Sequence, residues 1–287
     1  MRKLQRILSS KPSSFSEVSK SNPLTKGLKS AYFFNDGSGT IARDASGNKN
    51  HATFINSTYG GWGVGGYGRQ YVYEGVGGDE YATASPVIAG LGNVTVLAHV
   101  KYAENGNSLQ TICGTWSIKG LMLRFSSGTI QGYVYTSAQI GGTFLSGIND
   151  GDDVRLALVY NGTDLNLWYS INNGSVTYDN TTFTGTGSIN AAITELKIGG
   201  GATEGYFRGE MRHCLVYDRV LNGLEVKSIF ANPYQLFDAQ KVYLPDSAVT
   251  ITGTGAATFG TFTANGTNIA PNTMELGYKR HTRIQCS

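Results

Sequence analysis

The sequence predicts an all-β protein with one large globular body and an appendage at each end. Three observations carry this. Turn formers are abundant, with 39 Gly among 287 residues, while only 15% of residues are charged. Apolar residues recur with period two, the spacing of a strand that buries one face. Asn-Gly pairs punctuate such runs at Asn161-Gly162 and Asn173-Gly174, where a hairpin needs residues that tolerate positive φ. Hydrophobic residues make up 40% of the chain, enough for a full core.

Residues 1–23 are polar, rich in Ser and Lys, and end at Asn22-Pro23. They read as an arm that docks on another surface, with Arg2, Lys3, Arg6 and Lys11 as its contact residues. Within residues 1–29 seven basic side chains face a single acid, Glu17. Residues 30–237 hold 12 basic against 16 acidic residues, so the net charge of +3 belongs to the arm and not to the body. Seven spread charges make a weak nucleic-acid footprint, and an acidic protein surface or solvent suits them better.

Residues 24–240 carry dense strand signals. Val94, Val96, Ala98 and Val100 alternate with Thr95, Leu97, His99 and Lys101, as in a half-buried strand. Two short strands follow between Arg124 and Tyr135, broken at Ser126-Ser127-Gly128. Val154 to Tyr160 and Leu165 to Tyr169 form the clearest hairpin, around Asn161-Gly162. The glycine-rich run 60–68, GGWGVGGYG, reads as a turn or bulge. One helix is predicted after Asn222, an N-cap with Glu225 as its capping-box partner. Leu221 and Val226 suit a hydrophobic staple, Val226, Ile229 and Phe230 share a face, and Asn232-Pro233 ends the helix. Residues 241–287 form a distinct extension, in which Ile251–Thr267 is nearly all Gly, Thr, Ala and Phe, with Phe259 and Phe262 as its large anchors. Such a stretch supports a small hairpin but no core of its own.

Two passages resemble a known family. AYFFNDGSGTIARDASGNKNHATF, residues 31–54, is similar to the opening of laminin-G-like and concanavalin-A-like domains. FRGEMRHCLVYDRVLNGLEVKSIFANPYQLF, residues 207–237, resembles their closing strand and helix, with Gly209, Met211, Cys214, Val216, Tyr217, Arg219, Leu221 and Glu225 matching. The resemblance implies a two-sheet antiparallel jelly-roll sandwich with an N-terminal arm and a β-rich C-terminal extension. Two family aspartates are replaced by Arg212 and His213, so no role of theirs is carried over. The ending Ile229–Phe237 is typical of jelly rolls in phage structural proteins. It implies a non-enzymatic virion component made in the host cytoplasm, a capsid decoration or a fibre-like, tail-associated protein. Its expected partners are other virion proteins, further copies of itself and surface glycans. The alternative is a carbohydrate-binding module of a cell-surface protein; a glycoside hydrolase ranks third.

The family often binds calcium through rim loops, and Asp44, Asn48 and Asn50 are the candidate ligands here. The competing assignment has these side chains close their own turn through Asx-type bonds. Carbohydrate stacking would use Tyr59, Trp62, Tyr67 and Trp116. The E-x-D-x-x-E strand motif of glucanases is absent, and His51, His99, His213 and His281 sit beside no nucleophile elbow. Cys113 and Cys214 lie in strand-like contexts and read as buried thiols, and three cysteines with Cys286 make no disulfide framework. No apolar run is long enough to cross a membrane, and the basic N-terminus lacks the apolar stretch of a signal peptide.

Overall fold

The computed structural model of the chain describes residues 11–13, 15–57, 60–65, 68–73, 80–104, 109–115, 120–200, 205–238, 262–264 and 267–269. The first strands are β1 (Leu28–Tyr32), β2 (Ile41–Ala42), β3 (Ala52–Ile55), β4 (Gly61–Gly65), β5 (Gly68–Tyr73) and β6 (Tyr81–Ala84). The long strands follow: β7 (Val94–Tyr102), β8 (Leu109–Gly114), β9 (Leu121–Ser126), β10 (Thr129–Tyr135), β11 (Gln139–Ser146), β12 (Asp153–Tyr160) and β13 (Asp164–Ile171). Then come β14 (Thr177–Tyr178), β15 (Phe183–Thr184), β16 (Leu196–Ile198), β17 (Gly209–Tyr217), helix α1 (Gly223–Ala231) and a distal pair, β18 (Phe262–Ala264) and β19 (Thr267–Ile269).

Strands β1 to β17 make two antiparallel sheets packed as a sandwich. The first runs β14-β13-β12-β7-β17-β5-β4, with β1 also on β17 and β15 on β13. The second runs β11-β10-β9-β8-β16-β6-β3-β2. The period-two pattern explains the assembly. Val96, Ala98, Val100, Leu156, Leu158, Leu167 and Val216 point inward from the first sheet. Ile112, Leu123, Phe125, Ile130, Val134 and Ile198 meet them from the second. Cys113 and Cys214 are free and buried within this core.

Helix α1 forms as its signals predict. Asn222 Oδ1 accepts from the backbone N–H groups of Leu224 and Glu225, and Glu225 Oε2 accepts from the N–H of Asn222. Val226, Ile229 and Phe230 bury the apolar face. That face lands on the outer side of the first sheet, against Leu97, Ala157, Leu215 and Tyr217. Strand β7 is therefore buried on both faces, not half-buried as its alternation suggested, because the helix roofs the second face.

The described part of the arm shares that roof. Val18 is in the same cluster, its N–H donates to Ala45 O at 2.8 Å, and the Ser19 N–H donates to Leu236 O at 2.8 Å. Asn22 Nδ2 donates to Gln235 O at 2.7 Å. Lys11, expected to reach another protein, is instead held inside this one: its Nζ donates to Phe33 O and Arg212 O at 2.7 and 2.9 Å. Arg2, Lys3 and Arg6 lie outside the described residues.

Turn chemistry departs from expectation in three places. The Asn161-Gly162 hairpin has a three-residue loop in which Gly162 takes φ 94°. Asn161 Oδ1 closes that loop by accepting from the Thr163 and Asp164 N–H groups. The next turn centres on Asn172 and Asn173, with φ 51° and 59°, one residue earlier than the Asn-Gly pair suggested. Within the glycine-rich run 60–68, residues 61–65 are strand β4, with Trp62 opposite Tyr71. A Cβ at Gly60 would sit 2.1 Å from the buried Glu80 carboxylate and would push that side chain aside. In the C-terminal region β18 and β19 pair with each other, the small hairpin expected there.

Candidate functional site

The turn at residues 44–51 is built from Asp44 outward. Asp44 Oδ1 accepts from the N–H groups of Ala31 and Ser46, at 2.8 and 2.9 Å. Its Oδ2 accepts from the Asn50 N–H and the Ser46 hydroxyl, at 2.9 and 2.8 Å. Asn48 and Asn50 turn their amides onto the carbonyls of Leu28 and Lys29. His51 Nδ1 accepts from the Asp44 N–H at 3.0 Å. Both carboxylate oxygens of Asp44 thus already hold two N–H or O–H donors each, and a cation would have to displace them. The donor set fits a turn staple and does not fit a calcium site. Among the described residues no cluster of three or more His, Cys, Asp or Glu side chains has metal-binding geometry.

Trp62 donates its indole N–H to Gly39 O at 2.8 Å. Its ring meets Phe54 and Tyr71 edge-on, with centroids 5.6 and 5.2 Å apart, so it belongs to the core as well as to the surface. Tyr59, Tyr67 and Trp116 lie outside the described residues.

The structure assembles a different constellation. A shallow groove of about 250 Å³ opens at one end of the first sheet, where β5, β7 and β17 meet. Lys101, Asp150, Arg208 and Glu210 line it, over a floor that includes Tyr73 and Gly209. Gly209 takes φ 126°, and a Cβ there would sit 2.0 Å from Lys101 O, so only glycine allows the two strands to close at this point. Three of the four polar walls are tied by hydrogen bonds. Arg208 Nη1 donates to Glu104 O at 2.9 Å, and Asp150 Oδ1 accepts from the Glu104 N–H at 2.8 Å. Glu210 lies 3.9 Å from Lys101 Nζ and accepts from Arg212 Nη2 at 3.2 Å.

Behind Glu210 the groove is backed by a buried ionic cluster. A β-bulge between Met211 and His213 places Arg212 where it meets β7 and β12. Arg212 bonds Asp153, and His99 Nε2 lies 2.7 Å from Asp153 Oδ1 and 2.9 Å from Arg212 Nη1. One nitrogen cannot donate and accept at once. An Nε2–H donating to Asp153 is the tautomer that agrees with Arg212 donating to the same carboxylate. Burial drives the His99 pKa down to about 4, the Asp153 contact notwithstanding. Burial also lowers His213, helped by the charges of His99, Lys11, Arg155 and Arg212. Burial works to raise Asp153, but hydrogen bonds and charge from His99 and Arg212 outweigh it and hold the group at about 2. Lys11, buried beside Arg212, falls to about 7. The sequence gives Asp150 and Arg208 no local signal and Glu210 no partner, because the groove joins segments far apart in the chain. The one local signal was Lys101 on the polar side of an alternating strand.

The outer face of the second sheet is also polar and aromatic. Its register sets Thr83 opposite Lys197, Lys197 opposite Gly114, Gly114 opposite Met122 and Met122 opposite Tyr133. Lys197 Nζ pairs with Glu195 at 3.2 Å and lies 5.1 Å from the Tyr81 ring centroid. The helix and the arm pack on the first sheet, on the opposite side of the molecule.

No family model and no curated protein sequence matches the chain. Solved structures do. Domain 4 of an extracellular GH43 arabinanase from Geobacillus stearothermophilus, in complex with arabinotriose, superposes with a TM-score of 0.54 at 16% identity. That match covers 70% of this chain and 97% of the arabinanase domain. The receptor binding domain of botulinum neurotoxin type G gives 0.52 at 15% identity, over 71% of this chain and 51% of that one. Trypanosoma rangeli sialidase in complex with sialic acid gives 0.50 at 16% identity, over 74% of this chain and 34% of the sialidase. The chain thus spans about half of the neurotoxin domain and a third of the sialidase. At such identities the likeness is one of fold: a β-sandwich shared with carbohydrate-binding and sialidase-like proteins.

Proposed function

We propose that this chain is a non-enzymatic carbohydrate-binding β-sandwich whose ligand seat is the groove lined by Lys101, Asp150, Arg208 and Glu210. The observation that carries this is the groove's composition. Two donors and two acceptors line a volume of about 250 Å³, the scale of a single sugar ring. Vicinal hydroxyls both donate and accept, so a mixed set of this kind suits a polyol better than an apolar or singly charged ligand. The arabinotriose-bound arabinanase domain supports the reading by its fold.

A hydrolase is the weaker alternative. A glycosidase needs one carboxyl kept protonated in an apolar setting and a second facing it across the bond. Glu210 stands beside Arg212 and Lys101, and Asp150 accepts a backbone N–H, so neither has that setting. The phage-particle context is part of the proposal on the strength of the closing motif Ile229–Phe237. Recovery of the protein with purified particles is its test.

Calorimetry against a panel of neutral and acidic oligosaccharides tests the binding claim. Lys101→Met removes one charged donor from a half-exposed position and is expected to weaken binding roughly 10-fold with an unchanged melting temperature. A panel with no binder at all would refute the proposal.

A further inference from the structure

The outer face of the second sheet carries a guanidinium held from several sides and paired with no carboxylate among the described residues. Arg124 Nε donates to Gln131 Oε1 at 2.9 Å. Gln131 is anchored in turn, its Nε2 donating to Thr143 Oγ1 at 3.2 Å. That bond directs the Gln131 oxygen toward Arg124. The guanidinium carbon lies 5.2 Å from the Tyr133 ring centroid, and Tyr133 stacks beside Tyr135. Nη1 rests 3.8 Å from Met122 Sδ, a weak acceptor. The outer fork of Arg124 is therefore oriented, and its strongest neighbours leave the Nη edge without an oxygen acceptor. A planar fork of this kind matches a carboxylate or sulfate through two parallel N–H bonds.

We propose that this face is a second binding site, which takes the acidic group of an anionic glycan on Arg124 and its hydroxyls on Gln131 and Thr143. The acidic group is a uronate carboxylate or a sulfate ester. This rests on the carbohydrate-binding function proposed above but uses the other sheet. Two features favour a glycan over an acidic peptide. Strands β9 and β10 are paired on both sides, so no open edge is available here for an added peptide strand. The body, with 12 basic and 16 acidic residues over positions 30–237, exerts no general pull on polyanions, so recognition depends on the local fork.

The test is calorimetry of the full chain with tetragalacturonic acid, its methyl ester and a sulfated tetrasaccharide. Binding of the carboxylate or the sulfate form identifies which group the fork takes. Arg124→Gln is expected to weaken that binding by about 10- to 100-fold, and the methyl ester to lose as much. Arg124→Lys keeps the charge without the fork and should fall between. A circular-dichroism melt confirms that each variant is folded. Equal binding by Arg124→Gln, by the methyl ester, or by a poly-glutamate peptide would overturn the site. Neutral sugars binding while acidic ones show no advantage would overturn it and leave the groove proposal standing. A chain that binds no saccharide would overturn both.

Discussion

His99, His213 and Lys11 share a physical state: each is a basic group buried where its charged form is disfavoured. Each binds a proton more readily in the unfolded chain, so folding is favoured as pH rises. For His99 the contribution is fully present above its ordinary value of 6.5 and is lost as pH falls through about 4. That loss is on the order of 3 kcal/mol for His99 alone. His213 acts in the same direction. Lys11 adds a second window, with stability still climbing from about pH 7 toward its ordinary 10.5. Urea midpoints measured from pH 4.5 to 9 should therefore rise throughout. In His99→Gln the rise between pH 4.5 and 6.5 should shrink, and a flat wild-type profile would contradict the buried cluster. Not all of this was legible from the sequence. Asp44 could be read as a turn builder because its motif is local. The Arg212–Asp153–His99 network joins three strands, and a bulge that no local pattern announces puts Arg212 in reach.

At the scale of elements, α1 was the most legible piece of the chain. Its N-cap, capping-box glutamate and terminating Asn-Pro are all sequence-local, and each forms as spaced, while Leu221 and Val226 are buried in one cluster. Arg219 adds two hydrogen bonds to the Glu225 carboxylate, at 2.8 and 2.9 Å. Asn222→Ala removes the acceptor for two backbone N–H groups and should cost about 1 kcal/mol in a urea titration. Asn222→Gly should cost only a few tenths. Equal losses in the two variants would show that the cap is not the source. Strand β4 was illegible for the opposite reason. Three of its five residues are glycine, which carries no strand preference. Its pairing with β5 and the Phe54–Trp62–Tyr71 contact decide its conformation from outside. The turn at Asn172-Asn173 shows that residue types set where a chain can reverse, while the register of the flanking strands selects the position.

For the whole molecule, the described N-terminal segment is a structural part of the sandwich. It seats Val18 and Lys11 on the first sheet and covers a face that would otherwise meet water. A chain starting at Asn22 should lose about 3 kcal/mol or more, mainly from Val18 burial and the uncovered strand faces. Unchanged stability on chemical denaturation would show instead that the segment is a detachable arm. By itself the sequence determined the all-β class, the alternating strands and the capped helix. Each of these depends on residues within about a dozen positions of one another, where periodicity and turn chemistry act directly. Tertiary structure alone decided that β7 is covered on both faces, that Lys11 is internal, and that Lys101, Asp150, Arg208 and Glu210 share a groove. Those outcomes depend on which strands become neighbours, a long-range choice set by how two sheets and a helix bury their faces together.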